Sequence, residues 1–236
     1  MSDPRVRTSI ATLGLVSLAL LAAGCWLVVA AQAAPPVRSA PPVPGRTLLP
    51  VDEAAALPDF FSFRARLLQV VARRDAAALL EIVDPDIKNG FGGDDGKDAF
   101  EREWRPSSGD SKVWETLAAV LALGGRRSGE DGFTAPYVFA AWPDGVDGFE
   151  HVAVIGDRVR VRRAARDDAA EIGVVSFAVL KRGRDDQAPE AWTPVIATNG
   201  QAGYISSQYV RSPIDYRAFF TKKGGRWRMV MLLAGD

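Results

Sequence analysis

Apolar positions along this chain change their period near residue 150. Between residues 52 and 124 they recur every three or four positions, the spacing of one face of an α-helix. Phe60, Phe63, Leu67, Leu68 and Val71 form the first such stripe. Asp75 is a suitable N-cap for a second helix carrying Leu79, Leu80, Ile82 and Val83, and Pro85 is placed to stop it. The turn cluster "NGFGGDDG" follows, and Asp95 is positioned to cap a third helix with Phe100 and Trp104 on one face. "SKVWETLAAVLALGG" predicts a fourth, with Trp114, Leu117, Val120 and Leu121 inward and Gly124-Gly125 as its stop. "APYVFAAWP" reads as a short strand in a glycine- and charge-rich stretch.

From residue 151 short β-branched runs alternate with turns, the pattern of a small all-β barrel. In "VRVRRAARDDAAEIG" (residues 159–173), Val159 and Val161 point to a core while Arg160 and Arg162 point to solvent. "RAARDDA" is a polar loop and "EIGVV" opens the next strand. At the C-terminus, Lys222-Lys223-Gly224-Gly225 is a turn between two alternating runs, with Trp227, Met229 and Met231 on one face. This predicts a β-hairpin that continues or caps the barrel.

Two segments carry a resemblance. The first is V-x-V-R, a polar loop and I-G, formed by Val159, Val161, Arg162, Ile172 and Gly173. The second is W-x-x-V, a turn, G-Y-I and S-x-Y-V, formed by Trp192, Val195, Gly203, Tyr204, Ile205, Ser207, Tyr209 and Val210. Both resemble the opening and close of the bacterial SH3 (SH3b) domain, over about residues 152–211. Two departures stand out. Ala165 occupies a place where that family often has proline, and "KRGRDDQAPEA" makes a long loop before Trp192.

The fold class expected is therefore α+β and multidomain. A mostly helical unit (52–149) precedes an SH3-like barrel (150–211) and a C-terminal hairpin (212–236) packed on the barrel. An α+β cone resembling the NTF2-like class is the alternative for 52–149.

The N-terminus reads as a targeting segment. Arg5 and Arg7 precede an apolar run from Ile10 to Ala31, then the A-x-A pattern Ala31-Gln32-Ala33. Cleavage after Ala33, retention as a membrane anchor, and lipidation at Cys25 are three readings of residues 1–33. All three put the folded part outside the cytoplasm, in the periplasm or tethered to the membrane. Residues 34–51 hold six prolines in "PPVRSAPPVPGRTLLP" and read as an extended linker. Pro41, Pro44 and Arg46 fit P-x-x-P-x-R, a form that docks on SH3 grooves beside acids such as Asp167 and Asp168.

Charge narrows the function. Lysine plus arginine equals aspartate plus glutamate at 29 each, which argues against a dedicated nucleic-acid binder. Residues 34–149 carry 13 basic and 18 acidic side chains, and residues 150–236 carry 14 and 10. The shift suggests two units. Cys25 is the only cysteine, so cleavage after Ala33 leaves no thiol for a nucleophile or metal site.

Enzyme signatures are missing. His151 is the only histidine, and no G-x-S-x-G elbow accompanies it. "GFGGDDGKD" is not a P-loop, because Phe91 and Asp98 stand where glycine and a hydroxyl are needed. Asp84, Asp86, Asp94, Asp95 and Asp98 cluster in sequence without calcium-loop spacing. No catalytic residue, metal or cofactor is assigned.

The resemblance implies a non-catalytic binding module for peptidoglycan, its stem peptides, or an envelope peptide or protein. The expected groove lies between the 163–171 and 181–191 loops. Trp192, Tyr204 and Tyr209 would supply aromatic surface, and Arg162, Arg163 and Arg166 would meet carboxylates. A protein-interaction scaffold, or a hydrolase with paired carboxylates in 52–149, are the alternatives.

Overall fold

The computed structural model describes residues 46–197 and 199–235. The targeting segment, Cys25 and residues 34–45, including Pro41 and Pro44, lie outside the described residues. The fold is α+β, with helices and two β-sheets in one compact unit. Among the described residues no helix is long and apolar enough to cross a membrane.

The helices are α1 (Pro58–Arg73), α2 (Ala76–Ile82), α3 (Lys97–Trp104), α4 (Val113–Ala122) and the short α5 (Tyr137–Ala140). The first sheet contains β1 (Val83–Lys88), β2 (Arg126–Arg127), β3 (Gly132–Ala135), β11 (Arg217–Lys223) and β12 (Arg226–Leu233), in the order β1-β12-β11-β3-β2. Only β1 and β12 run parallel. The second sheet contains β4 (His151–Val154), β5 (Val159–Arg162), β6 (Glu171–Val175), β7 (Val179–Arg182), β8 (Trp192–Ile196), β9 (Ala202–Ser206) and β10 (Val210–Arg211). Its order is β10-β4-β7-β8-β9-β5-β6, antiparallel throughout.

The apolar stripe of α1 lies on the first sheet. Phe60, Phe63, Leu67 and Val71 are buried, while Leu68 falls off the stripe to the solvent side at 40% exposure. The Phe60 ring stacks on Phe133 at 4.1 Å and meets Trp227 edge-on at 4.8 Å. Full burial of such a ring contributes roughly 1.5–3 kcal/mol. Trp114, Leu117, Val120 and Leu121 of α4 join the same core. Asp75 caps α2, accepting from the Ala78 amide at 3.0 Å.

Several expectations are corrected. Residues 52–149 are not an independent, mostly helical domain, because β1, β2 and β3 share their sheet with the C-terminal hairpin. That hairpin does not continue or cap the second sheet. Ala218, Phe220, Trp227, Met229 and Leu232 project into the helical core, and that apolar face draws it there. A bulge opposite Phe219 and Phe220 shifts the alternation, so Leu232 rather than Met231 follows Met229 inward. "APYVFAAWP" is no strand, since β3 ends at Ala135 and α5 begins at Tyr137. Pro85 lies within β1, and α2 already ends at Ile82. Asp95 does not cap α3. Gly96 holds that position, while the Asp95 carboxylate accepts from the Asn89 amide and pairs with Lys88.

The second sheet curls around its own core. Val152, Val154, Val159, Val161, Val175, Leu180, Val195 and Ile205 all contribute to it. Among the described residues the expected barrel does not close, because β6 pairs only with β5 and β10 only with β4. The linker also ends earlier than expected. Thr47 bridges to Ala178, and Leu48 is buried with Tyr137, Val138, Ala153 and Val179 on the outer face of β4 and β7.

Candidate functional site

A groove of about 350 Å³ opens on the second sheet. Its position follows from strand alternation. Val159 and Val161 of β5 face the core, which turns Arg160 and Arg162 outward. On β8, Val195 faces the core and Trp192 faces the groove. Tyr209 and Gln208 come from the short 3-10 turn Ser207–Tyr209.

The motif residues explain this geometry. A Cβ on Gly203 would lie 2.7 Å from both Ile172 Cδ1 and Val161 Cγ1, and 2.9 Å from the Arg162 carbonyl oxygen. Glycine there lets β9 cross β5 closely. Ser207 anchors the 3-10 turn to the start of β8. Its hydroxyl lies 2.9 Å from Thr193 Oγ1 and donates to the Glu190 carbonyl at 2.8 Å. The Ile155 amide donates to the Tyr209 carbonyl at 2.9 Å. Gly156 then admits the Tyr209 ring, since a Cβ there would meet its Cδ1 at 3.3 Å.

The groove mixes rings with charges of both signs. Arg158, Arg160 and Arg162 stand with Asp157 and Asp167 around Trp192 and Tyr209. Arg162 is held by donation from Nη1 to the Ala169 carbonyl at 2.8 Å. Arg160 pairs with Glu171 at 3.4 Å. Among the described residues Arg158 has no acidic side chain at ion-pair distance, and Tyr209 is 44% exposed.

The structure thus brings together Arg162, Trp192 and Tyr209. It does not bring Arg163, Arg166 or Tyr204 to the groove wall. Arg166 pairs with Asp168 at 3.3 Å, and Arg163 is exposed in the loop. The Tyr204 hydroxyl donates to Asp185 Oδ2 at 2.6 Å. That bond holds the Asp185 carboxyl below its ordinary range and raises the Tyr204 hydroxyl above its own. The 181–191 loop is therefore clasped to β9 rather than forming a groove wall. Arg46 donates to the Asp144 carbonyl at 2.9 Å, so it does not meet Asp167 or Asp168. Sequence reasoning missed Asp157, Arg158 and Arg160, although the alternation that exposed Arg162 exposed Arg160 equally.

The acidic residues near the "NGFGGDDG" turn do not converge. Asp84 pairs with Lys223, Asp94 with Arg102 and Asp95 with Lys88. Among the described residues no three histidine, cysteine or acidic side chains gather as a metal set. A larger cleft, bordered by α1, α2 and the C-terminal hairpin, contains the two carboxylates Asp59 and Glu81. The bond from Lys222 holds the Asp59 carboxyl below its ordinary range. Comparison with family models, curated proteins and solved structures finds no match to this chain.

Proposed function

We propose that this chain is a non-catalytic binding protein of the cell envelope, with the second sheet acting as a bacterial SH3-like module. Its ligand is a short peptide carrying both carboxylate and amine groups, as the stem peptides of peptidoglycan do. One observation carries the reading: three separate segments deliver Arg162, Trp192 and Tyr209 to one open groove. Aromatic faces take the apolar parts of a peptide, and guanidinium forks take its carboxylates. Asp157 and Asp167 suit the amine. Residues 1–33 export the chain, and the folded part works outside the cytoplasm.

The test is co-sedimentation of the purified protein with isolated peptidoglycan sacculi at low and high salt. Pelleting that survives high salt and is lost in Tyr209→Ala and Arg162→Ala supports the reading. Pelleting only at low salt is diffuse charge attraction and refutes it, as does no pelleting at all.

A further inference from the structure

The cleft against the first sheet has a different character from the groove. It is an open depression of about 950 Å³ among α1, the α2–β1 junction, the start of α3 and the turn of the β11–β12 hairpin. Five cations line it: Arg66, Lys97, Lys222, Arg226 and Arg228. Asp59 and Glu81 are the acidic residues of the lining, and the buried Asp84 beside it also acts on Arg228. The whole chain is neutral by formal charge, so this excess is a local concentration and not a bulk property.

The cations are also poorly neutralised. Lys222 pairs with Asp59. Among the described residues Arg66, Lys97, Arg226 and Arg228 have no acidic side chain at ion-pair distance. Arg228 is nonetheless held in place, donating from Nη1 to the Glu81 carbonyl at 3.1 Å. Lys97 stands in the first turn of α3, where a cation opposes the helix dipole. Like charges gathered from four elements repel one another, and a bound anion relieves that repulsion. Phe63, Val83 and Trp227 form an apolar floor that strengthens charge interactions above it.

We infer that this cleft is a second binding site, for a small ligand bearing two or more phosphate groups. Phosphate fits better than carboxylate for a geometric reason. Guanidinium and ammonium donors approach from α1, α3 and the hairpin, and a tetrahedral anion accepts from several directions at once. A planar carboxylate presents one edge. The concave shape selects a small molecule that enters it. This inference stands independently of the groove on the second sheet.

The experiment is titration calorimetry on the whole protein with inorganic pyrophosphate, and with citrate as a polycarboxylate of comparable charge. Pyrophosphate should bind, more tightly than citrate. The double variant Arg66→Gln/Arg226→Gln should weaken it by about tenfold or more, from the loss of two charge-assisted contacts. Both residues are exposed, and the variant's circular dichroism and melting temperature check that it folds. Tyr209→Ala, in the other groove, should leave pyrophosphate affinity unchanged. No heat with pyrophosphate at millimolar concentration would overturn the inference. So would equal affinity for citrate, or undiminished binding in the folded double variant.

Discussion

The pair Asp84–Lys223 joins β1 to the C-terminal hairpin, and its energetics can be worked from the structure. Asp84 is 2% exposed and accepts from Lys223 Nζ at 2.9 Å and from the Asp86 amide at 3.0 Å. Burial alone would raise its carboxyl. The Lys223 ammonium, the Asp86 amide and the nearby Arg228 charge outweigh burial and hold it below its ordinary value of 3.8. Asp84→Asn keeps an oxygen for the Asp86 amide but loses the charge-assisted bond. That costs about 1.5–3 kcal/mol, toward the low end because the freed lysine is half exposed and reaches water. Lys223→Met is the harsher change, since it strands a carboxylate in the interior, where loss of one partner from a fully buried pair costs about 3–5 kcal/mol. The remaining amide bond lowers this to about 2–4 kcal/mol. Urea unfolding followed by tryptophan emission measures both, because Trp104, Trp114 and Trp227 lie in this core. The sign with pH is set by the lowered carboxyl. Its stabilisation is fully present above its unfolded value and is lost as pH falls through the folded one. Wild type and Asp84→Asn should therefore differ most at pH 7 and converge in acid. A Lys223→Met variant within about 0.5 kcal/mol of wild type, the ordinary range of surface substitutions, would refute the assignment.

Two further outcomes are expected. Gly203→Ala drives a Cβ into the Arg162 carbonyl, Val161 and Ile172, and should cost about 1–3 kcal/mol, read as a lowered melting temperature; an unchanged melting temperature would mean that β5 and β9 separate freely. A chain ending at Arg211 lacks β11 and β12, so β1 and β3 lose their partners and α1 loses Phe220 and Trp227. Its helical circular dichroism should collapse while the valine methyl signals of the second sheet stay dispersed in NMR spectra; retained helicity would show that the helices pack without the hairpin.

Local patterns in the sequence carried local structure. The spacing of Phe60, Phe63, Leu67 and Val71 marks the buried face of α1, and the alternation in "VRVR" marks β5, because each reflects contacts within one element. Asp75 was legible for the same reason. Asp95 was not, because its fate depends on Lys88 and Asn89, which β1 brings alongside. Of the groove, Trp192 and Tyr209 were legible through the resemblance of their segment to the close of the bacterial SH3 domain. Arg163, Arg166 and Tyr204 could not be separated from Arg162, because which side chains reach the groove is set by the folded loop: Tyr204 is drawn to Asp185 of a loop that doubles back, Arg166 pairs locally with Asp168, and Arg163 stays exposed.

The largest misreading was the partner of the C-terminal hairpin, and topology explains it. Ala218 of β11 pairs directly with Ala135 of β3, although the entire second sheet lies between them in sequence. The second sheet is thus inserted where two neighbouring antiparallel strands would otherwise be joined by a short loop. Proximity in sequence favoured pairing the hairpin with the sheet just completed, since sequential strands usually neighbour one another. Only the apolar face of Phe220, Trp227, Met229 and Leu232, matched to the helical stripes, selects the distant partner. The same insertion changes the meaning of the charge tally. Lys222, Lys223, Arg226 and Arg228 account for much of the positive excess after residue 150, yet they belong to the first sheet. The division into an acidic first half and a basic second half does not survive folding. The hairpin carries its cations back to the acidic half, where Lys222 and Lys223 pair with Asp59 and Asp84, and Arg226 and Arg228 join Arg66 and Lys97 around the cleft.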